Sequence, residues 1–398
     1  MMLNALLVAT GAFVLLLLLR PRVRGNRTWR ATVTPLASII GSGFLVLAPI
    51  LLREFGAHAV TAMTALCLVG YGVGSAIRCN IRALDARGGR LRRREDLLDA
   101  AASTALAFAY LVSVCYYLNL FGAFAVGLAA PGATWPGRVV TTLTLAGIGL
   151  LGWWRGLDGL EAAETVTVSL KLAVIAALLV GMGDYAALLS LNGGLAANPA
   201  HLDAHGLRIA CGLLITVQGF ETSRYLEEKY DAATRIASMR LAQWWASAIY
   251  VVYVGLAVAV FDVADVGTEE TAIIGMTASI AAILPYMLVA AALAAQFSAA
   301  AADTNGCGGL VRDLTHARVS ARLTYVGLVT ACIALTWAAD IYAIISYASR
   351  AFALYYALQC ALATRLSIAD QRHPLRSITY AALTLGMIAV LVLGLPVE

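Results

Sequence analysis

Charge is what this chain has least of. In 398 residues Asp, Glu, Lys and Arg make up 13%. A soluble domain carries about 25%, so the shortage excludes an ordinary water-soluble fold. Seven cysteines are scattered at 67, 79, 115, 211, 307, 332 and 360. They form no CxxC pair and no cysteine–histidine cluster, so no metal ligand set is read from them and they behave as small hydrophobes. The histidines His58, His201, His205, His316 and His373 fall in loops or at segment ends. HExxH, GxSxG and Walker motifs are missing. No nucleophile–base set shares one depth, which argues against an enzyme. The net charge of +5 needs no nucleic acid to explain it, and no soluble module or partner motif is readable.

What is present is apolar length. Hydrophobic residues make up 61%, and mean hydropathy is +0.81. The runs are long and continuous, so an all-α integral membrane protein is expected rather than a barrel, whose strands would be short and alternating. About twelve transmembrane spans are predicted, at 2–19, 32–53, 58–78, 97–129, 138–154, 160–182, 206–227, 242–262, 273–303, 323–338, 341–364 and 377–395. The first resembles a signal peptide in length. Its arginines (Arg20, Arg22, Arg24, Arg27 and Arg30) follow the apolar run instead of preceding it, and no small-residue cleavage site is evident. A retained anchor is therefore expected.

Loop charge supports the count. Segments 20–30, 78–96, 229–240, 312–322 and 365–376 are basic. Segment 183–205 has no Lys or Arg, and 262–272 carries Asp262, Asp265, Glu269 and Glu270. Basic and non-basic loops alternate, as twelve crossings require, with both termini outside. The run "RGGRLRRRED", Arg87 to Asp96, then reads as a cytoplasmic topology signal, with contact to anionic lipid heads as a further use.

Two spans are interrupted. "PLASIIGSGFLVLAPIL", Pro35 to Leu51, has Gly41, Ser42 and Gly43 in its middle, where each glycine costs a helix roughly 1 kcal/mol. "IACGLLITVQGFETSRYLEEKYD", Ile209 to Asp231, has Gln218, Gly219, Phe220 and Glu221 at mid-depth. Positions 41 and 219 lie 178 residues and five spans apart, in spans of opposite direction. Such a pair points to an inverted-repeat transporter with its site at the midplane. Unwound backbone in hydrocarbon is tolerated where it lines a cavity or is buried in protein. N–H groups around Gly41, Ser42 and Gly43 suit a carboxylate at a helix N-terminus. Carbonyls near Val217 to Gly219, with Glu221 beside them, suit an ammonium group.

These motifs carry a resemblance. "IIGSGF" resembles the glycine-rich break in the first core helix of the amino acid–polyamine–organocation (APC) transporters. "GFETSRYLEE" resembles their sixth core helix, and "GLEAAETVTVSLKLAVI", Gly159 to Ile175, their fifth. The likeness covers roughly 31–365. It implies a LeuT-type fold with a five-plus-five inverted repeat. That divides the chain into an N-terminal anchor and basic loop (1–30), a first repeat (31–182), a second repeat (206–365) and a C-terminal helix (366–398). The anchor is extra to the pattern, and "QFSAAAADTNGCGGL", Gln296 to Leu310, does not match it closely.

The function expected is alternating-access secondary transport of an amino acid or related small amine. Coupling would be to protons, so no cofactor is called for. A bacterial inner membrane is the expected location. The partners are a zwitterionic substrate and membrane lipid. The substrate site is expected at Ser38, Ile40, Gly41, Ser42, Gly43 and Phe44, with Val217, Gln218, Gly219, Phe220 and Glu221. Aromatic closure by Tyr116, Tyr117 or Tyr286, the last of them following an expected kink at Pro285, is a further expectation. Lys171, costly in mid-membrane, lies where the resemblance implies that a protonatable lysine replaces a sodium ion; a permanent structural ammonium is the other reading. Glu221 is read as a proton carrier, an amine partner or an anchor of the unwound turn. Glu227 and Glu228 are read as solvated. Arg350 is placed as the near-equivalent of Lys171 in the second repeat, as a gate or buried charge opposite Glu221 or Asp303. Exchange without ion coupling, transport of a polyamine or inorganic cation, and a non-transporting receptor stay open.

Overall fold

The computed structural model describes residues 2–41, 43–130, 132–155, 161–227, 229–370 and 374–395. Ser42, Glu228, His373 and the first two residues of the 159–175 motif lie outside them. Among the described residues there are helices and no strand: α1 Met2–Leu19, α2 Pro21–Arg24, α3 Arg27–Ile39, α4 Gly43–Phe55, α5 Ala59–Ala86, α6 Arg93–Gly127, α7 Thr134–Arg155, α8 Glu161–Leu191, α9 Ala204–Gly212, α10 Ala232–Val260, α11 Ala272–Ala278, α12 Leu284–Leu314, α13 Ala321–Ala338, α14 Ile341–Asp370 and α15 Pro374–Leu393. Leu214–Val217 and Phe220–Tyr225 are 3-10 turns between α9 and α10.

Each expected span has its helix or broken helix. Among the described residues, nine helices are long and apolar enough to cross a membrane. The pair α3 and α4, bent by 46°, makes a tenth. The seventh span fails that test because it is cut into α9 and two 3-10 turns. The fifth, α7, carries Arg138 within its apolar stretch. All of this fits an integral membrane protein.

Several helices start before their apolar windows. Helix α10 begins at Ala232 rather than 242, because Asp231 caps it by accepting the Thr234 N–H at 2.8 Å. Helix α6 begins at Arg93 because the Glu95 carboxylate accepts the Arg92 N–H at 3.0 Å. Caps satisfy orphan donors and extend a helix into polar sequence that hydropathy does not register.

Span nine is not one run. Helix α11 ends at Ala278 and α12 starts at Leu284. Pro285 sits in the first turn of α12, where its fixed φ and missing donor cost nothing. It starts a helix rather than kinking one, which corrects the expected kink. Tyr286 is consequently on the surface, 62% exposed, and not at a site.

Helices α6 and α12 lie side by side at the centre. The Cys307 thiol donates to the Ala107 carbonyl at 3.4 Å, and Gly306 faces the Tyr110 ring. Helix α14 packs on both α6 and α15. The extra helix α1 rests on α8 through Gly11, which lies against Ala173 and Ala177.

An offset of 178 relates three helix starts in the first part of the chain to three in the second. Helices α3, α6 and α8 begin at 27, 93 and 161. Adding 178 gives 205, 271 and 339, against observed starts of 204, 272 and 341 for α9, α11 and α14.

Candidate functional site: the meeting of two interrupted helices

The first interruption begins where Ile40 leaves helical geometry (φ −82°, ψ 61°), and α4 starts at Gly43. The second begins earlier than its sequence suggests. Helix α9 ends at Gly212, the next turn is 3-10, Gln218 is extended and Gly219 has φ +113°. Only glycine adopts that φ without strain.

The interruptions touch. A Cβ at Gly43 would come within 2.9 Å of Thr216, and one at Gly219 within 2.5 Å of Ser38. Such closeness requires the missing side chains. The Tyr250 hydroxyl of α10 lies 2.7 Å from the Ile39 carbonyl and 2.7 Å from the Thr216 carbonyl. One O–H is thus shared between two carbonyls, one from each interrupted helix. Tyr117 of α6 also meets both. Its ring would lie 3.6 Å from a Cβ at Gly41, and its hydroxyl accepts from Gln218 Nε2 at 2.8 Å.

Charged groups gather around this junction. Lys171 of α8 donates to the Ala37 carbonyl at 2.8 Å, one turn before the first break. Glu221 is fully buried. Its Oε2 accepts from the Gly219 N–H at 2.9 Å and from the Tyr356 hydroxyl at 2.8 Å. Asp303 is buried in the middle of α12 and accepts from the Ser113 hydroxyl. Lys171, Asp303 and Ser38 line one small cavity with Thr34 and Thr222. Among the described residues, Gln218 Oε1 and Glu221 Oε1 are buried and have no hydrogen-bond partner. Both are acceptors, and both belong to the second interruption.

The other expected site residues are placed as follows. Ile40 and Val217 are buried beside the breaks. Phe44 stacks on Tyr253 with ring centroids 4.2 Å apart. Phe220 stacks on Tyr356 at 5.3 Å. Tyr116 is buried next to Tyr117. Glu227 is exposed and reaches Arg235. His58, His201, His205 and His316 are exposed. All seven cysteines are free, and no cluster of metal-ligating side chains occurs among the described residues.

Arg350 does not face either carboxylate. Its guanidinium donates to the Gly394 carbonyl at 2.5 Å, tying α14 to the end of α15. At the 178 offset Lys171 corresponds to Ser349, the residue before Arg350. Positions 171 and 349 differ by 178, as do 37 and 215. Lys171 bonds Ala37, and the Ser349 hydroxyl accepts from the Ile215 N–H at 3.0 Å and donates to the Gly212 carbonyl at 2.5 Å. A side chain from the same position thus braces the interrupted helix in each half. The 178 offset contains this correspondence; the eye is drawn to the neighbouring charge instead.

Sequence reasoning missed a second network nearer the end that carries the basic loops. Arg224, at the end of the second 3-10 turn, pairs with Asp99 of α6 at 2.5 Å and bonds Gln359 of α14. Gln359 accepts from Asn80 of α5 at 2.8 Å. Outside the spans, the Thr234 bonds and the Arg27 guanidinium at 3.7 Å hold the Asp231 carboxyl below its ordinary range.

Comparison with known proteins bears on this arrangement. A family model described as APC superfamily transporter matches residues 21–394, from just after α1 to the end of α15. An uncharacterized protein of Aquifex aeolicus (strain VF5) is 37% identical over 396 residues, covering 97% of this chain and 96% of the relative. A match over nearly the whole chain, on a helical membrane fold with paired interruptions, leads to one conclusion: the chain belongs to the APC superfamily of transporters.

Proposed function

We propose that the chain carries amino acids or related small amines across a bacterial inner membrane by alternating access, with substrate held where the two interrupted helices meet. One observation carries the reading. At that junction two buried acceptors, Gln218 Oε1 and Glu221 Oε1, lack partners among the described residues. The interrupted helix that bears them meets the N-terminal end of α4 through Thr216, which lies against Gly43. An ammonium has three donors for the first set. A carboxylate suits the positive end of a helix. A zwitterion satisfies both. The break residues form the pocket: Ser38 to Phe44 from one helix and Val217 to Glu221 from the other.

Energy would come from a proton gradient, without a cofactor. Lys171 is the candidate switch. It lines the same cavity as Asp303, and its ammonium bonds the backbone just before the first break. Loss of its proton would remove the charge and weaken that bond, since a neutral amine still donates. Helix correspondence at one offset, and the matched braces Lys171–Ala37 and Ser349–Ile215, support two inverted repeats at 31–182 and 206–365. Rocking of one part against the other would then expose the junction to each side in turn. Were Lys171 to stay charged on the Ala37 carbonyl throughout the cycle, exchange of amino acids without ion coupling would be the second reading.

Uptake into proteoliposomes of labelled amino acids, polyamines and rubidium ion tests the substrate class. The expected result is saturable uptake of one or a few amino acids, competed by their unlabelled forms. Uptake confined to polyamine or rubidium would overturn it.

A further inference from the structure

Where the ends of α5 and α14 meet the start of α15, beside the basic loops, lies a cleft of about 310 Å³, away from the interrupted helices. Arg82, Arg87 and Arg376 line it with Ser367, and Ala83 and Leu366 supply apolar wall. No carboxylate lines it among the described residues. Arg87 is paired with Glu95 at 2.9 Å. Arg82 and Arg376 are exposed and have no ion-pair partner among the described residues. Two further cations stand nearby. Arg78 is close enough to Arg82 and Arg240 to be repelled by both, and its own hydrogen bonds go to neutral groups, Gln243 Oε1 at 2.5 Å and the Tyr71 carbonyl. Among the described residues, Arg87 alone of the lining cations has a carboxylate partner.

Cations gathered in this way stabilise the fold only if an anion joins them. The depth of the cleft selects which anion. Its walls are the last turns of α5 and α14 and the first turn of α15, so it opens at headgroup level. The flank of α15 beside it is apolar and outward-facing: Leu375 is 78% exposed and Ile378 66%. We infer that this cleft binds the phosphate of an anionic phospholipid, with Arg82 and Arg376 on the phosphate and the acyl chains along α15. Basic pockets between membrane helices on the cytoplasmic side suit such headgroups. Ser367 adds a hydroxyl that can donate, its present neighbour being the Cys79 thiol at 3.7 Å.

Native mass spectrometry of the full chain in neutral detergent tests this. Phosphatidylglycerol, phosphatidylcholine and inorganic phosphate are titrated separately. Phosphatidylglycerol is expected to bind with clear preference. Each cation near an anionic headgroup contributes roughly fivefold, so R82Q/R376Q should weaken it about 30-fold. R82K/R376K, which keeps the charges, should stay within about threefold. R90Q/R93Q removes the same charge from the basic loop outside the cleft, and should also stay within about threefold. Far-ultraviolet circular dichroism of each variant reports retained helix. Equal affinity for phosphatidylcholine would overturn the inference. So would phosphate binding without lipid preference, or a loss in R90Q/R93Q as large as in R82Q/R376Q.

Discussion

Ser349 shows how much one residue matters in a helix. Successive side chains point about 100° apart, so Ser349 turns to the interrupted helix while Arg350 turns to Gly394. Its hydroxyl serves two backbone groups, the Ile215 N–H and the Gly212 carbonyl. Ser349→Ala strands both. Buried unmet groups cost about 1–3 kcal/mol, so the variant should melt lower in detergent. Arg350→Gln can still donate to Gly394 and should melt closer to wild type. Tyr250 makes a similar case. Tyr250→Phe removes the one hydroxyl shared by Ile39 and Thr216, and should destabilise by about 1–3 kcal/mol while changing little volume. An unchanged melting temperature would mean that these carbonyls find other partners. Lys171 and Glu221 were legible in sequence because charge is conspicuous in apolar surroundings. Ser349, Tyr250 and Tyr356 were not, because serine and tyrosine are ordinary in a membrane helix and only three-dimensional contact distinguishes them.

At the scale of elements, the interruptions hold the account together. Gly219 has φ +113°, and a methyl there would meet Ser38. Strain of this kind costs about 1–3 kcal/mol before the clash is counted. Gly219→Ala should therefore separate the two breaks and abolish substrate binding, measured by loss of labelled-ligand retention. Binding at wild-type affinity would show that the junction is not the site. The element order was legible, since twelve apolar runs became twelve helices or broken helices. Boundaries were less so. Capping at Asp231 and Glu95 carries helix into polar sequence, and Pro285 begins a helix where a kink was expected. The second break was read from Gln218 onward. Its unwinding starts at Leu213, because 3-10 turns in apolar sequence leave no compositional mark.

Across the whole molecule, alternating access requires one end to be shut while the other opens. Arg224 ties the second interrupted helix to α6 through Asp99 and, through Gln359, to α14 and Asn80 of α5. This network lies between the junction and the basic loops. Arg224 is nearly buried, and a quarter of the Asp99 side chain is exposed. Removing one partner of a buried pair costs about 3 kcal/mol or more, borne by the shut state alone if the pair opens during transport. Arg224→Gln should therefore raise labelling of Cys360, buried on α14, by a membrane-impermeant thiol reagent applied from the cytoplasmic side. Unchanged labelling would make the network purely structural.

In the proposed cycle, a charge on Lys171 links a proton gradient to substrate at the meeting of the interrupted helices. The most direct test is uptake of the identified substrate into proteoliposomes, with and without an inside-alkaline pH gradient, for wild type and Lys171→Ala. Wild type should accumulate substrate only with the gradient, while Lys171→Ala binds it but does not concentrate it. Uptake by wild type that ignores the gradient would contradict the claim and leave Lys171 as a brace for the carbonyl of Ala37.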